Sequence, residues 1–301
     1  MPNHDNCWYL NDFRGILRAM TAASIVDRPG VQYLRTMKDS PKMMNGSRKT
    51  ALITGATRGL GWEFAEILAA RGYDLVLTGR DEAQLLDFKR KHEKQAVTTV
   101  VADLSVPGGA AAVLAAVKKS GATIEVLVNN AGFGDRQAFA ESDLAKQEAM
   151  VQVNVASLVS LTHGLLPGMV RRKSGRILNV ASTAGFVPGP NMAIYYATKA
   201  FVISFSYAIA FELRGSGVSV SVLCPGATRT DFDKTAGTSK SRLVRSGVME
   251  AHGVAEAGVR GMLSGKRMIV PGFANKVAAG SSRIAPRAMA ARLASTLNSD
   301  S

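Results

Sequence analysis

In "YYATK", residues 195–199, a tyrosine stands four residues ahead of a lysine, with a second tyrosine between them. Side chains at i and i+4 share a face of a helix, so Tyr195 and Lys199 converge if this stretch is helical. The chemistry such a pair could do is proton transfer. A phenol with an ordinary pKa of about 10 is a poor acid or base at neutral pH, and a neighbouring cation lowers it by favouring the phenolate. Taken alone, the spacing more often describes a half-buried tyrosine beside a solvated lysine. The residues around it have to decide.

A second cluster lies at "TGATRGLG", residues 54–61. Gly55, Gly59 and Gly61 permit a tight turn and a close backbone approach, with Thr57, Arg58 and Leu60 between and beside them. An apolar run precedes the turn and a helical period follows it. A helix start offers free N–H groups and a positive dipole end, which suits a dinucleotide pyrophosphate. The next apolar run ends "LTGR", where nicotinamide-binding folds often carry an acid against the adenosine ribose. Here the position is Gly79, followed by Arg80. Arg80 and Arg58 could flank a 2′-phosphate with planar forked donors, which favours NADP(H) over NAD(H).

These clusters require elements to position them, and the chain supplies a regular alternation from Thr50 onward. Short β-branched runs ("TALIT", "YDLVLT", "VTTVVADL", "IEVLVNNAG", "GRILNVAS", "VSVSVLCPG", "RMIVPG") alternate with helical periods. Continuous apolar strands joined by helices indicate a parallel sheet covered on both faces. The expected fold is therefore α/β: a doubly wound, Rossmann-type parallel sheet in three α/β/α layers, forming a single domain over residues 48–272. Residues 1–47 lack either period and read as a dispensable extension. Residues 273–301 read as a basic helical tail in which Ala288, Met289, Ala291, Leu293 and Ala294 alternate with Arg287 and Arg292. Packing of that tail against the protein is expected ahead of a membrane surface, because its apolar face is mostly alanine.

Composition bounds the remaining choices. Hydrophobic residues are 47% and charged residues 20% of 301, which is ordinary for a globular chain. Two uncharged stretches, 149–170 and 177–198, are long enough to span a membrane but contain polar residues, glycines and prolines, and read as core. The two cysteines, Cys7 and Cys224, lack metal-ligand spacing, and no apolar secretory segment opens the chain, so a cytoplasmic location is expected. The net charge of +14 invites a nucleic-acid reading, yet residues 50–239 carry 19 basic and 16 acidic side chains, so the excess sits at the ends. No aromatic platform accompanies it, and no nucleic-acid partner is expected.

With these motifs in order, the chain resembles the short-chain dehydrogenase/reductases over about residues 50–272. The resemblance is carried by "TGATRGLG", "ADL" with Asp103, "NNAG" at 129–132, Asn154, Ser182, "YYATK" and "PGATRT" at 225–230. It implies an NADP(H)-dependent oxidoreductase interconverting a small-molecule carbonyl and an alcohol, with Asn154, Ser182, Tyr195 and Lys199 as the catalytic set. Tyr195 would be the general acid/base, Lys199 its tuning cation and a ribose contact, Ser182 the holder of the substrate oxygen, and Asn154 the anchor of a relay water. Thr183 remains a rival to Ser182. Tyr196 remains one to Tyr195, although the thirteen-residue spacing from Ser182 favours Tyr195. The resemblance also implies cofactor contacts at Asp103, Leu104, Asn130, Ala131, Gly132, Pro225, Gly226, Thr228 and Thr230. It implies a homodimer or homotetramer, and substrate reading by the loop at about 229–253 and by the C-terminal tail. A non-catalytic NADP(H) sensor of the same fold is the alternative.

Overall fold

Along the first strand, β1 (Thr50–Thr54), Ala51, Leu52 and Ile53 are all fully buried, although neighbouring strand residues point to opposite faces. Both faces of the sheet are therefore covered. Ala51 and Ile53 join an apolar cluster with Leu75, Leu77, Val126, Val128 and Leu178, while Leu52 joins a second with Val76, Leu127 and Ile177. Two cores flanking one sheet make three layers.

The structure is a computed structural model, and it describes residues 48–238, 248–282 and 285–299, without the side chains of 233 and 234. The extension expected over 1–47 and the middle of the substrate loop, 239–247, lie outside the described residues. After β1 come α1 (Gly59–Ala70), β2 (Asp74–Gly79), α2 (Glu82–Lys91), β3 (Val97–Val101), α3 (Gly109–Ser120) and β4 (Ile124–Asn129). A long helix α4 (Leu144–Arg172), β5 (Gly175–Val180), α5 (Ala193–Glu212) and β6 (Val218–Leu223) follow. The chain then forms β7 (Thr228–Arg229), α6 (Phe232–Ala236), β8 (Met249–Glu250), α7 (Ala251–Leu263), β9 (Met268–Ile269), α8 (Phe273–Ser281) and α9 (Arg287–Asn298). The main sheet runs β3-β2-β1-β4-β5-β6-β9, with every pairing parallel. This is the expected doubly wound, Rossmann-type fold.

Helices α1, α2 and α7 cover one face through Phe64, Leu68, Leu85, Phe88, Val259 and Met262; α3, α4 and α5 cover the other through Val113, Val117, Leu161, Met169 and Ile209. The strand order turns back between β1 and β4, so the segments leaving those two strands open a crevice beyond their carboxyl ends. The glycine turn follows β1, and the "NNAG" stretch begins within β4. Helices α4 and α5 are long and apolar enough to cross a membrane, and in this fold both lie against the sheet. The uncharged stretch 177–198 is not one helix: it is β5, a 3₁₀ turn at Thr183–Phe186 and the start of α5.

Helix α9 differs from the apolar stripe its sequence suggests. It buries Ala290, Ala294 and Asn298 and leaves Met289 and Leu293 exposed. The small face permits close approach to the cluster of Met150, Met192, Tyr195 and Tyr196, in which Ala294 takes part.

Candidate functional site

The glycine turn is shaped by backbone that side chains would not tolerate. Gly55 and Gly59 have φ of +65° and +55°, and a Cβ on Gly61 would lie 2.0 Å from the Gly55 carbonyl oxygen. The turn is locked to the segment leaving β4. Asn130 Nδ2 donates to the carbonyls of Thr54 (2.9 Å) and Gly55 (3.2 Å), and Thr54 Oγ1 accepts from the backbone N–H groups of Asn130 (3.0 Å) and Ala131 (2.9 Å). Thus the Asn130 side chain holds the turn itself. Helix α1 starts at Gly59 with no side-chain cap from Arg58 and no acid in its first turn, which leaves its N-terminus open to an anion. A cleft of about 380 Å³ opens beside it, lined in part by Gly59, Trp62 and Thr230.

At the end of β2, the Thr57 methyl lies 2.6 Å from where a Gly79 Cβ would be, so a side chain here would require Thr57 to turn aside. Arg58 and Arg80 are exposed, and Arg80 Nη1 stands 3.9 Å from Asp103 Oδ2. Asp103 accepts from the backbone N–H (2.8 Å) and hydroxyl (2.6 Å) of Ser105, which hold its carboxyl below the usual carboxylate range. Leu104 is buried, and its carbonyl accepts from Ser157 Oγ at 2.7 Å, tying this end of β3 to α4.

Tyr195 and Lys199 occupy the first two turns of α5, and both are buried. Lys199 Nζ lies 5.7 Å from the Tyr195 ring centroid and donates to the Val180 carbonyl at 3.0 Å. Burial pushes the ammonium down from its ordinary value to about 8. Cys224, at the end of β6, is buried near it, and burial pushes that thiol up to about 12, as befits inert packing. Ser182 follows β5: its Oγ accepts from the Ala184 N–H (3.1 Å) and faces the Pro225 carbonyl at 3.4 Å.

Asn154 falls in a π-helical turn, Gln152–Ala156, that interrupts α4. Its Oδ1 accepts from the Phe133 N–H (3.1 Å), and its Nδ2 donates to the Phe133 carbonyl (3.0 Å) and Thr198 Oγ1 (3.0 Å). Both ends of this buried side chain are engaged. A Cβ on Gly132 would lie 2.7 Å from Asn154 Oδ1 and 3.5 Å from Lys199 Nζ.

The segment after β6 closes the opposite side. Thr228 Oγ1 donates to the Gly226 carbonyl (3.0 Å), and Thr230 Oγ1 accepts from the Phe232 N–H (3.2 Å). A Cβ on Gly59 would meet Thr230 at 3.2 Å, so the glycine turn and this segment touch. Phe232 then places its ring 5.4 Å from that of Tyr195, centroid to centroid. Tyr196 points elsewhere: its hydroxyl donates to Asn298 Oδ1 at 3.0 Å.

The sequence-predicted residues thus gather at the carboxyl ends of β1, β2, β3, β4, β5 and β6. Sequence reasoning missed Phe232, Thr54, Arg136 and Asn298. Phe232 lies just past the run after "PG", and Thr54 opens the glycine motif itself, while nothing local marks Arg136 and Asn298.

A family model described as short chain dehydrogenase matches residues 49–241. Sulfoacetaldehyde reductase 2 of Chromohalobacter salexigens is 36% identical over 184 residues, covering 60% of this chain and 73% of that protein. Among solved structures, a short-chain dehydrogenase from Sphingobium yanoikuyae in complex with NADPH aligns with a TM-score of 0.71 at 34% identity, covering 78% of this chain and 93% of the other. One from Burkholderia phymatum in complex with NAD aligns at 0.69 and 28% identity, covering 79% and 94%.

Proposed function

The chain belongs to the short-chain dehydrogenase family, and from that premise we propose that it interconverts a carbonyl and an alcohol with NADP(H), Tyr195 serving as general acid/base. The observation that carries this reading is the convergence of Tyr195 and a buried Lys199 at the crevice end of the sheet, where Lys199 is bonded to Val180, two residues before Ser182. The glycine turn supports a dinucleotide, since it keeps backbone, free of any Cβ, at the open start of α1. When bound, the nicotinamide supplies or accepts the hydride.

The protein's own residues do the rest. Lys199 favours the phenolate of Tyr195 and so lets the phenol exchange a proton with the substrate oxygen near neutral pH. Ser182 positions that oxygen. Both Nδ2 protons of Asn154 are committed to Phe133 and Thr198, so a relay water there would be held by an acceptor, Oδ1 or the backbone carbonyl in the π turn. Arg58 and Arg80, with Gly79 in place of an acid, support NADP(H), as does the NADPH bound to the similar Sphingobium protein. Exposed Phe201, Tyr207 and Phe211 on α5, with Val151 and Val170 on α4, support a homodimer through those helices.

The test is oxidation of NADPH and of NADH with a panel of carbonyl compounds, alongside cofactor binding followed by fluorescence. Turnover with NADPH supports the reading. Tight binding without turnover would instead indicate a sensor, and a preference for NADH would remove the role of the arginines.

A further inference from the structure

Asn298, the last residue of α9, is 1% exposed and touches three segments distant in sequence. Its Oδ1 accepts from the Tyr196 hydroxyl at 3.0 Å, and its Nδ2 donates to the Pro190 carbonyl at 3.0 Å. Its own carbonyl accepts from Arg136 Nη1 at 2.9 Å, a guanidinium at a helix C-terminus, where the dipole favours a cation. Arg136 reaches the substrate side as well. Its Nε donates to the Gly237 carbonyl at 2.9 Å and its backbone N–H to the Ala236 carbonyl at 3.0 Å, both at the end of α6, the helix that carries Phe232.

The segment containing Arg136 is anchored at the catalytic centre. Phe133 is gripped by Asn154, and Gly134 is packed so tightly that a Cβ would lie 2.9 Å from Phe232 Cζ and 3.2 Å from Tyr195 Cδ2. Consecutive helix residues are about 100° apart, so Tyr195 and Tyr196 point in different directions, yet their rings meet edge to face at 6.1 Å and they share one rotation of the helix. Holding Tyr196 therefore fixes the rotation of the first turn of α5, and with it the direction of the Tyr195 phenol. Pro190, on the approach to α5, is held by the same amide.

We propose that Asn298 is a positioning residue: with Arg136 it latches the C-terminal helix to the start of α5 and to the Phe232 helix, aiming Tyr195 and closing the substrate side. This rests on the oxidoreductase reading above and gives the C-terminal helix a defined part in it. The latch acts through Tyr196 and touches neither substrate nor cofactor.

The test uses the full-length chain with Tyr196→Phe, Asn298→Ala and the double variant, with NADPH and 1-phenyl-1,2-propanedione as probe. Each single change is expected to lower kcat about tenfold, since displacement of a reacting group by an ångström can cost more than that. NADPH affinity should hold, and the double variant should be no worse than the poorer single, because both changes break the same Tyr196–Asn298 bond. Unchanged kcat, or losses that multiply, would overturn the latch. Amide hydrogen exchange supplies a readout that needs no turnover. Asn298→Ala should speed exchange across 187–200 while β1 and β4 keep their protection, and unaltered exchange there would overturn the proposal by itself. A wild-type chain that turns over no carbonyl probe would count against the oxidoreductase reading, and the exchange result would still decide the latch.

Discussion

Lys199 reaches across from α5 to donate its Nζ to the carbonyl oxygen of Val180, the last residue of β5, at 3.0 Å. The contact fastens the tyrosine helix to the strand that ends just before Ser182. It also takes an ammonium out of water, and burial lowers its pKa from 10.5 to about 8.

That burial has a pH signature. Between pH 8 and 10.5 the unfolded chain binds more protons at this lysine than the folded one, so its contribution to stability rises with pH across that window. The cost is fully present below the folded pKa and is relieved above it. Denaturant unfolding of the wild type and of Lys199→Met should therefore converge, the wild type gaining roughly 1 kcal/mol on the variant between pH 7 and pH 9. A constant difference would mean that the lysine is not desolvated.

Tyr195→Phe deletes one oxygen from a buried ring that packs against Phe232 and Tyr196. The fold and NADPH binding should survive, while kcat falls by about 10² or more, the usual worth of general acid catalysis. Retention of more than about a tenth of the activity would remove Tyr195 from its role.

Arg58→Ala combined with Arg80→Asp should move the ratio of kcat/KM for NADPH over NADH toward NADH. The mechanism is loss of two exposed guanidiniums and gain of a carboxylate just past the end of β2. An unchanged ratio would show that these arginines do not read the phosphate.

Two glycine substitutions should part company. Gly61→Ala drives a Cβ to within 2.0 Å of a backbone oxygen, so the turn must move, with loss of NADPH binding and about 1–3 kcal/mol of stability. Gly253→Ala meets nothing within 4 Å on helix α7 and should be neutral or stabilise by up to about 1 kcal/mol. Thermal unfolding of both variants, with and without NADPH, reads the contrast.

The layered architecture and most of the candidate site were legible without coordinates because they depend on local regularities. A strand buried on both faces must be apolar throughout, as "TALIT" is, and a turn that forbids a Cβ must be glycine, as at 55 and 61. The four-residue spacing of Tyr195 and Lys199 is itself a helical period. What the sequence left open were choices that depend on partners far along the chain. Spacing from Ser182 and to Lys199 favours Tyr195 over its neighbour Tyr196, but no spacing reveals where the second hydroxyl goes: Asn298, 102 residues away, accepts from it. The side chain of Asn154 is engaged by Phe133 and Thr198 for the same reason, since a buried amide takes whichever donors and acceptors the packing brings to it. The tail helix buries Ala290 and Ala294 and exposes Met289 and Leu293 because close approach to the tyrosine cluster rewards small residues, a requirement set by the surface it meets and absent from its own periodicity.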